Sequence, residues 1–392
     1  MTMQEKVETL AAEFESEIIG IRRHLHRNPE LSTQEVSTRR FIEAKLEEWG
    51  IAYRSGYSGN GVVGIVEGRK PESRCIALRA EMDALPIEEE TGLDFASENK
   101  GVMHACGHDV HMACLLGAAK ILQSLKDEFE GTVKLIFQPS EEDYKGGAPV
   151  MMEQGVLQNP VPQAIYALHI LPELECGRIG YRSGKYMAST DEVYLKVKGK
   201  AGHGAAPERN IDPVVASAYI ITALQQIVSR QASPFTPTVL SFGRIIGEGQ
   251  TNVIPAEVNI DGTFRTFDEA WREKAHQAIT RCAEETAKAC GAECEVHIAQ
   301  GYPSVCNDPK ITQKLRETAE RFVGAARVEE LPLRMTADDF AFYTQQVPGC
   351  MFRLGVKPED VDEPANLHTG RLVVDEACMK TGAGLLALLA MA

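Results

Sequence analysis

The sequence holds no apolar run approaching the ~20 residues that cross a bilayer. It also lacks any excess of basic charge. Lys and Arg total 41 against 56 Asp and Glu, for a formal net charge of −15. The long-range field of so acidic a chain repels phosphate and anionic lipid, which argues against nucleic-acid partners and against the membrane surface. The first twenty residues carry several acids and no continuous apolar stretch, so no secretory leader is expected there. There are no internal repeats and no low-complexity tracts. Without an export signal, the ten cysteines are expected to be free thiols in a reducing cytoplasm, with a metal or catalytic use open to one of them. An apolar fraction of 44% over 392 residues excludes a disordered chain and predicts one to three domains.

Hydrophobic periodicity divides the chain. Residues 5–26 are predicted helical. Ser32-Thr33-Gln34-Glu35 has the spacing of a capping box. The helix predicted after it carries Ile42, Leu46 and Trp49 on one face and stops at Gly50. Short β-branched or apolar runs follow at 61–66, 75–80, 132–138 and 164–170, with a long apolar helix at about 110–125. Strands alternating with helices, and buried on both faces, predict an α/β domain whose mixed, largely parallel sheet is flanked by helices. Residues 186–300 differ in texture. Residues 191–198 alternate like a half-exposed strand, Asp212-Pro213 opens a helix, and Asp268 caps a second helix with Trp271, Ala275, Ile279 and Cys282 on one face. With strands at 237–246, 255–266 and 293–299, the order is β-α-β-β-α-β, a small α+β domain inserted into the first. Residues 301–392 return to α/β texture, so the first domain is expected to comprise 1–185 and 301–392.

Polar residues gather where the predicted strands of the first domain end, the edge at which α/β sheets bind ligands. Strand 75–80 runs into Glu81-Met82-Asp83, strand 132–138 into Pro139-Ser140-Glu141-Glu142, and strand 164–170 carries His169. The densest cluster is His104-Ala105-Cys106-Gly107-His108-Asp109-Val110-His111. Cys106 and His108 flank a glycine, so both side chains can turn to one point. Thiolate and imidazole suit Zn, Mn, Co or Ni better than Ca or Mg. The plainer reading is a loop of histidines beside a buried cysteine. In an extended segment Glu141 and Glu142 point opposite ways, one toward a metal and the other toward a water as general base; two solvated glutamates are the ordinary alternative. In the inserted domain His203 sits alone on a glycine-rich turn, with Asn252 in Thr-Asn-Val-Ile-Pro and Arg265 in Gly-Thr-Phe-Arg-Thr. Arg suits bidentate carboxylate binding, although lone histidines and arginines commonly serve structure or surface.

Together these residues resemble a known family. His26-Arg27-Asn28-Pro29-Glu30-Leu31, Leu78-Arg79-Ala80-Glu81-Met82-Asp83-Ala84-Leu85-Pro86, Met103-His104-Ala105-Cys106-Gly107-His108-Asp109 and Phe137-Gln138-Pro139-Ser140-Glu141-Glu142 come first. Gly202-His203-Gly204, Asn252-Val253-Ile254-Pro255, Asp338-Asp339-Phe340 and Leu367-His368-Thr369 follow in order. The chain resembles the dinuclear-metal amidohydrolases and metallopeptidases that include hippurate hydrolase, N-acyl-amino-acid amidohydrolases (aminoacylases) and indoleacetyl-amino-acid hydrolases. The resemblance implies two divalent metal ions per subunit, of Mn, Zn, Co or Ni, held by Cys106, His108, Glu142, His169 and His368. It implies Glu141 as general base and His203 as oxyanion donor, often reaching the site from a neighbouring subunit. Asn252 and Arg265 are implied to hold the substrate carboxylate, and the inserted domain to serve as lid and dimerisation surface of a homodimer or higher homo-oligomer. The implied reaction is hydrolysis of N-acyl amino acids. A dipeptidase or carboxypeptidase on the same fold, a catalytically silent metal-dependent binding protein, and a cysteine nucleophile at Cys106 are the competing readings. The chain departs from the family pattern at Glu81, Ser140, Asp143 and Asp338, positions that bear on substrate preference.

Overall fold

The computed structural model describes residues 1–392. Two compact units make up the chain. One comprises Met1–Gly184, Cys306–Pro332 and Asp339–Ala392; the other comprises Lys185–Val305 with Leu333–Asp338.

The first unit is built on an eight-stranded sheet. Its centre is four parallel strands, in the order Thr132–Gln138, Cys75–Glu81, Ala164–Glu175 and Gly349–Lys357. The first two of these are buried along their whole length, as a parallel sheet covered on both faces requires. Gly61–Glu67 adds an antiparallel strand beside Thr132–Gln138, and Ala52–Tyr57 closes that edge. No apolar alternation marks Ala52–Tyr57, because as an edge strand it is largely exposed. Two three-residue strands, Ile179–Tyr181 and Val328–Glu330, finish the other edge.

The helix His108–Ser124 is apolar nearly all round and is buried. It packs against the helices Met3–Arg27 and Met379–Met391, which is how a helix with no polar stripe is accommodated. The helix Val36–Glu48 forms where expected, but not by the predicted capping box. Its N-cap is Glu35, whose side chain makes no cap bond. Glu30 does that work from outside the helix, its carboxylate accepting from the N–H of Ser37 at 3.0 Å and of Thr38 at 2.8 Å. Ser32 is drawn away because its hydroxyl donates to Asp83 at 2.6 Å.

The second unit is a four-stranded antiparallel sheet, ordered Thr238–Ile246, Glu257–Thr266, Asp191–Lys198, Glu293–Gln300. Two helices, Pro213–Gln226 and Glu269–Ala289, pack with it around Leu195, Ile220, Leu224, Ile260, Phe264 and Ile279. The chain order is β-α-β-β-α-β. Asp212 caps the first helix through the N–H groups of Val214 and Val215, and Asp268 caps the second through that of Trp271. Each cap contributes ~1 kcal/mol. No helix of the chain is long and apolar enough to cross a membrane.

Candidate metal centre

The parallel register aligns the ends of three strands. Glu81 lies opposite Gln138, and Arg79 lies opposite Ala167, so Glu81-Met82-Asp83, Ser140-Glu141-Glu142 and His169 share one rim of the sheet. His169 stands within its strand rather than at its end, since pairing continues to Glu175. A fourth contribution comes from the start of the helix His108–Ser124. Gly107 makes the turn into it at φ 84°, and a Cβ there would collide with Ile170. Only glycine serves both demands, and Cys106 and His108 on either side face the same point.

Four overlapping groups of potential ligand atoms result within the first unit. Within each, the atoms lie within 4.8 Å of one another: Cys106 with His108 and His169, Cys106 with Glu142 and His368, His108 with Glu141 and Glu142, and Glu81 with His108 and His111. The Cys106 sulfur is 3.6 Å from His169 Nε2. His368 Nε2 is 3.3 Å from Glu142 Oε1, and the His368 N–H donates to Ala105 O at 2.8 Å, tying the last of these residues beside Cys106. Glu141 and Glu142 converge, contrary to the alternation expected of an extended segment. Ser140 adopts φ 58°, which breaks the strand before them and swings both carboxylates to one side.

Two of the imidazoles, those of His108 and His169, are held by their other nitrogen. His108 Nδ1 donates to Asp83 O at 2.7 Å, and His169 Nδ1 donates to Ile170 O at 2.8 Å. With those carbonyls accepting from Nδ1, the neutral form of each ring has Nε2 as the bare acceptor facing the cluster, the arrangement that orients metal-bound histidines. Asp83, a residue absent from the expected set, organises the rest. Its carboxylate accepts from the backbone N–H of Glu141 at 3.0 Å and of Glu142 at 2.9 Å. Burial alone would push that carboxyl up, but the hydrogen bonds from His108, Ser32 and Glu142 N–H outweigh it and hold it below the usual range. Its place just past a strand end was the signal available for finding it.

The residues fit a divalent cation on two observations. His108 Nε2 and Glu142 Oε1 are buried with no hydrogen-bond partner, a rarity that marks missing ligation rather than stable packing. The electrostatics agree. Burial would depress His108, yet Asp83, Glu81 and Glu142 together raise it to about 10, so the site demands positive charge. Burial and the carboxylates of Glu142, Glu141 and Glu81 push the Cys106 thiol well above its ordinary range. An activated nucleophile needs the reverse shift. His111 cannot assist as a base, because Nδ1 donates to Glu81 at 2.7 Å and Nε2 accepts from Ile170 N at 2.9 Å. His104 is buried and kept neutral, its pKa pushed by burial to about 3. The cysteine-nucleophile reading therefore finds no support.

His203, Asn252 and Arg265 lie in the second unit. His203 is exposed on the two-residue strand Gly202–His203, which pairs with Val253–Ile254; Gly204 N donates to Asn252 O at 2.8 Å. His203 Nδ1 accepts from Ala205 N–H at 3.0 Å, which leaves the ring proton on Nε2 as a free-facing donor. Arg265 is elsewhere in this unit. It follows Phe264, which pairs with Asp191, while His203 lies beyond Lys198, which pairs with Glu257. At ~3.3 Å per residue the strand Asp191–Lys198 puts roughly 23 Å between those two ends. His203 and Arg265 thus follow opposite ends of that strand.

The sequence profile of peptidase family M20/M25/M40 matches residues 77–392. N-acetyl-L-cysteine deacetylase of Bacillus subtilis (strain 168) is 39% identical over 368 residues, 93% of this chain and 85% of that protein. Thermostable carboxypeptidase 2 of Saccharolobus solfataricus is 38% identical over 394 residues, 100% of this chain and 99% of that one. Among solved structures, a dinuclear metal binding peptidase of the M20 family from Bacillus subtilis is 34% identical. It superposes with a TM-score of 0.83 over 97% of this chain and 98% of its own.

Proposed function

The chain belongs to peptidase family M20/M25/M40 and is a divalent-metal hydrolase of amide C–N bonds, and from that premise we propose that it cleaves N-acyl amino acids to a carboxylic acid and a free amino acid, with two metal ions per subunit. The observation that carries this reading is the set of overlapping ligand groups around Cys106, His108 and Glu142 with Glu141 beside them. Cys106, His108, Glu142, His169 and His368 would hold the ions. When bound, divalent ions supply Lewis acidity, which lets water lose a proton near neutral pH and polarises the acyl carbonyl. Glu141 takes the water proton and later returns it to the leaving nitrogen. The His203 Nε2–H donates to the oxyanion, and Arg265 and Asn252 engage the carboxylate of the amino-acid half.

Arg265 and His203 follow opposite ends of strand Asp191–Lys198, which supports a site to which two copies contribute. That geometry favours a homodimer whose second copy lends His203 and Asn252. Two features of the inserted unit support it as the dimerisation surface. Thr238–Ile246 is paired on one side only, an edge that invites another strand. Val214, Val215, Tyr219 and Ile245 are exposed on this unit, Tyr219 to 61%. Its service as lid and its boundaries at 186 and 300 belong to the same proposal, as does a cytoplasmic location.

The likeness to a carboxypeptidase supports a second reading. The chemistry is shared, since a peptide's C-terminal residue is itself an acylated amino acid. A panel of N-acetyl amino acids, N-benzoyl amino acids and dipeptides separates the two, using protein reconstituted with Mn, Zn, Co or Ni. Acyl amino acids are expected to be cleaved faster. Preference for dipeptides would establish the peptidase. No hydrolysis with metal fully loaded would leave a silent binding protein.

A further inference from the structure

Two cysteines of the first unit meet at a place the proposed reaction does not use. The strand Ala164–Glu175 ends in a turn at Cys176 and Gly177, the glycine at φ 74°. Its neighbour in the sheet, Gly349–Lys357, fastens that turn. Cys176 N–H donates to Lys357 O at 3.2 Å and Gly177 N–H to Gly355 O at 2.9 Å. The same strand end holds a second segment, because Asp375 N–H donates to Val356 O at 2.9 Å. Asp375 O then accepts from both cysteines, from Cys176 Sγ at 3.8 Å and from Cys378 N–H at 3.3 Å. The thiols of Cys176 and Cys378 face each other and share a hydrogen bond. Both are free.

The two sulfurs differ in access. Cys378 is fully buried. Cys176 is half-buried and lines a cleft of about 510 Å³ that lies wholly within the first unit. Arg178, Arg327 and Lys357 share the lining with Glu175, Glu359 and Asp375, so a small polar molecule meets no apolar barrier on its way to the sulfur. Arg327 also fixes the turn, donating to Cys176 O at 2.6 Å. The hydrogen bond with Cys176 and burial push the Cys378 thiol well above its ordinary range. That keeps Cys378 from reacting first, since the thiolate is the reactive form. An oxidant entering the cleft reaches Cys176 and finds the second sulfur already beside it, the pairing of an accessible thiol with a resolving one. Cys75 and Cys350 are buried and have no such approach.

We propose that Cys176 is a site of reversible oxidation by hydroperoxides and that Cys378 resolves it to an intramolecular disulfide. The Cys176 sulfur attacks the O–O bond, giving a sulfenic acid and releasing the alcohol, or water when the oxidant is hydrogen peroxide. The Cys378 sulfur then displaces the hydroxyl as water and the S–S bond forms. Two thiols give up two hydrogens and two electrons, and the hydroperoxide is reduced to alcohol and water. The test treats the reduced full-length chain with equimolar hydrogen peroxide, blocks the remaining thiols by alkylation and maps the peptides without reduction. A Cys176–Cys378 peptide is expected, with a mass lower by two hydrogen atoms, two fewer free thiols, and full reversal by dithiothreitol. The bridge should form before the exposed Cys306 is oxidised. In Cys176→Ser the linked peptide should be absent and Cys378 should stay a thiol. In Cys378→Ala, Cys176 should persist as a sulfenic acid that dimedone captures. Because that buried substitution can prevent folding, the wild type supplies a second measurement. Brief treatment of the reduced protein with iodoacetamide should label Cys176 ahead of Cys378 and abolish the bridge. Linked peptides that join other cysteines while these two stay free would overturn the proposal, as would Cys176 and Cys378 both remaining thiols once Cys306 is oxidised.

Discussion

In the first unit Cys106, His108 and His169 are buried, and each imidazole is tied to a backbone carbonyl through the nitrogen that faces away from the cluster. In the inserted unit His203 and Asn252 are exposed on and beside a two-residue strand that follows one end of strand Asp191–Lys198, while Arg265 follows the residue paired with its other end. The contrast is between groups placed by the unit's own core and groups whose placement waits on something outside it. Preorganised donors are valuable because no reorganisation is needed during reaction. The first unit has that property by itself; under the proposed function the second would gain it by meeting another surface.

The largest effect is expected where placement is complete. Glu141→Gln keeps the side-chain shape and removes the proton acceptor, so turnover should fall by about 10²–10⁴-fold, the usual contribution of a general base. Metal content measured by elemental analysis should hold. Near-normal turnover would mean that this carboxylate is not the base. Cys106→Ser replaces a group common to two of the ligand groups, and the metal-to-protein ratio should fall sharply. An unchanged ratio would remove Cys106 from the ligand set.

For the delivered half, His203→Ala should slow turnover about 10²–10³-fold, as loss of one oxyanion donor does, with Tm unmoved because the side chain is exposed. Mixing inactive His203→Ala protein with inactive Glu141→Gln protein then sharpens the comparison. Mixed dimers in which one copy lends an intact His203 to the other's intact Glu141 should regain activity. No recovery, with subunit exchange verified by mass, would place His203 and Glu141 in service of the same copy.

The same contrast governs what could be read from the residues alone. The order of the main elements and the polar ends of two strands were legible because burial imposes periodicity on sequence, whereas the strand of His169 runs on past it to Glu175. The inserted unit's helices were legible because Asp212 and Asp268 cap by side chain. The directions of Glu141 and Glu142 were not, because they turn on Ser140 holding a positive φ, and a serine does not announce one as a glycine does. Ser32 kept the spacing of a capping residue while its hydroxyl bonds Asp83, 51 residues away. Asp83 was visible at a strand end, but its role lies in accepting the N–H groups of Glu141 and Glu142, a contact between distant segments. The separation of Arg265 from His203 depends on strand register, which no local pattern records.

The firmness of the first unit has an electrostatic part, and acid should expose it. Behind the helix that begins at His108, Arg22 and His26 both bond Asp109, at 2.8 and 2.9 Å, and His26 Nε2 lies 3.2 Å from Glu89. Burial alone would raise the Glu89 carboxyl, but bonds from His26, Ser97 N–H and Thr91 outweigh it and hold it at about 2, below its ordinary 4.5. A depressed carboxyl contributes stability above its unfolded value and loses it as pH falls from about 4.5 toward 2. His26 works with the opposite sign. Burial opposes its charge, yet Asp109 and Glu89 raise it above 6.5, so its share is full below 6.5 and fades as pH rises past its folded value. The pair therefore acts together between about 4.5 and 6.5. Glu89→Gln should lower Tm most in that window, and the gap to wild type should close steadily below it. A gap that stays constant from pH 6 to pH 3 would show that Glu89 serves through shape and neutral hydrogen bonds, and that the buried network of the first unit owes little to its charges.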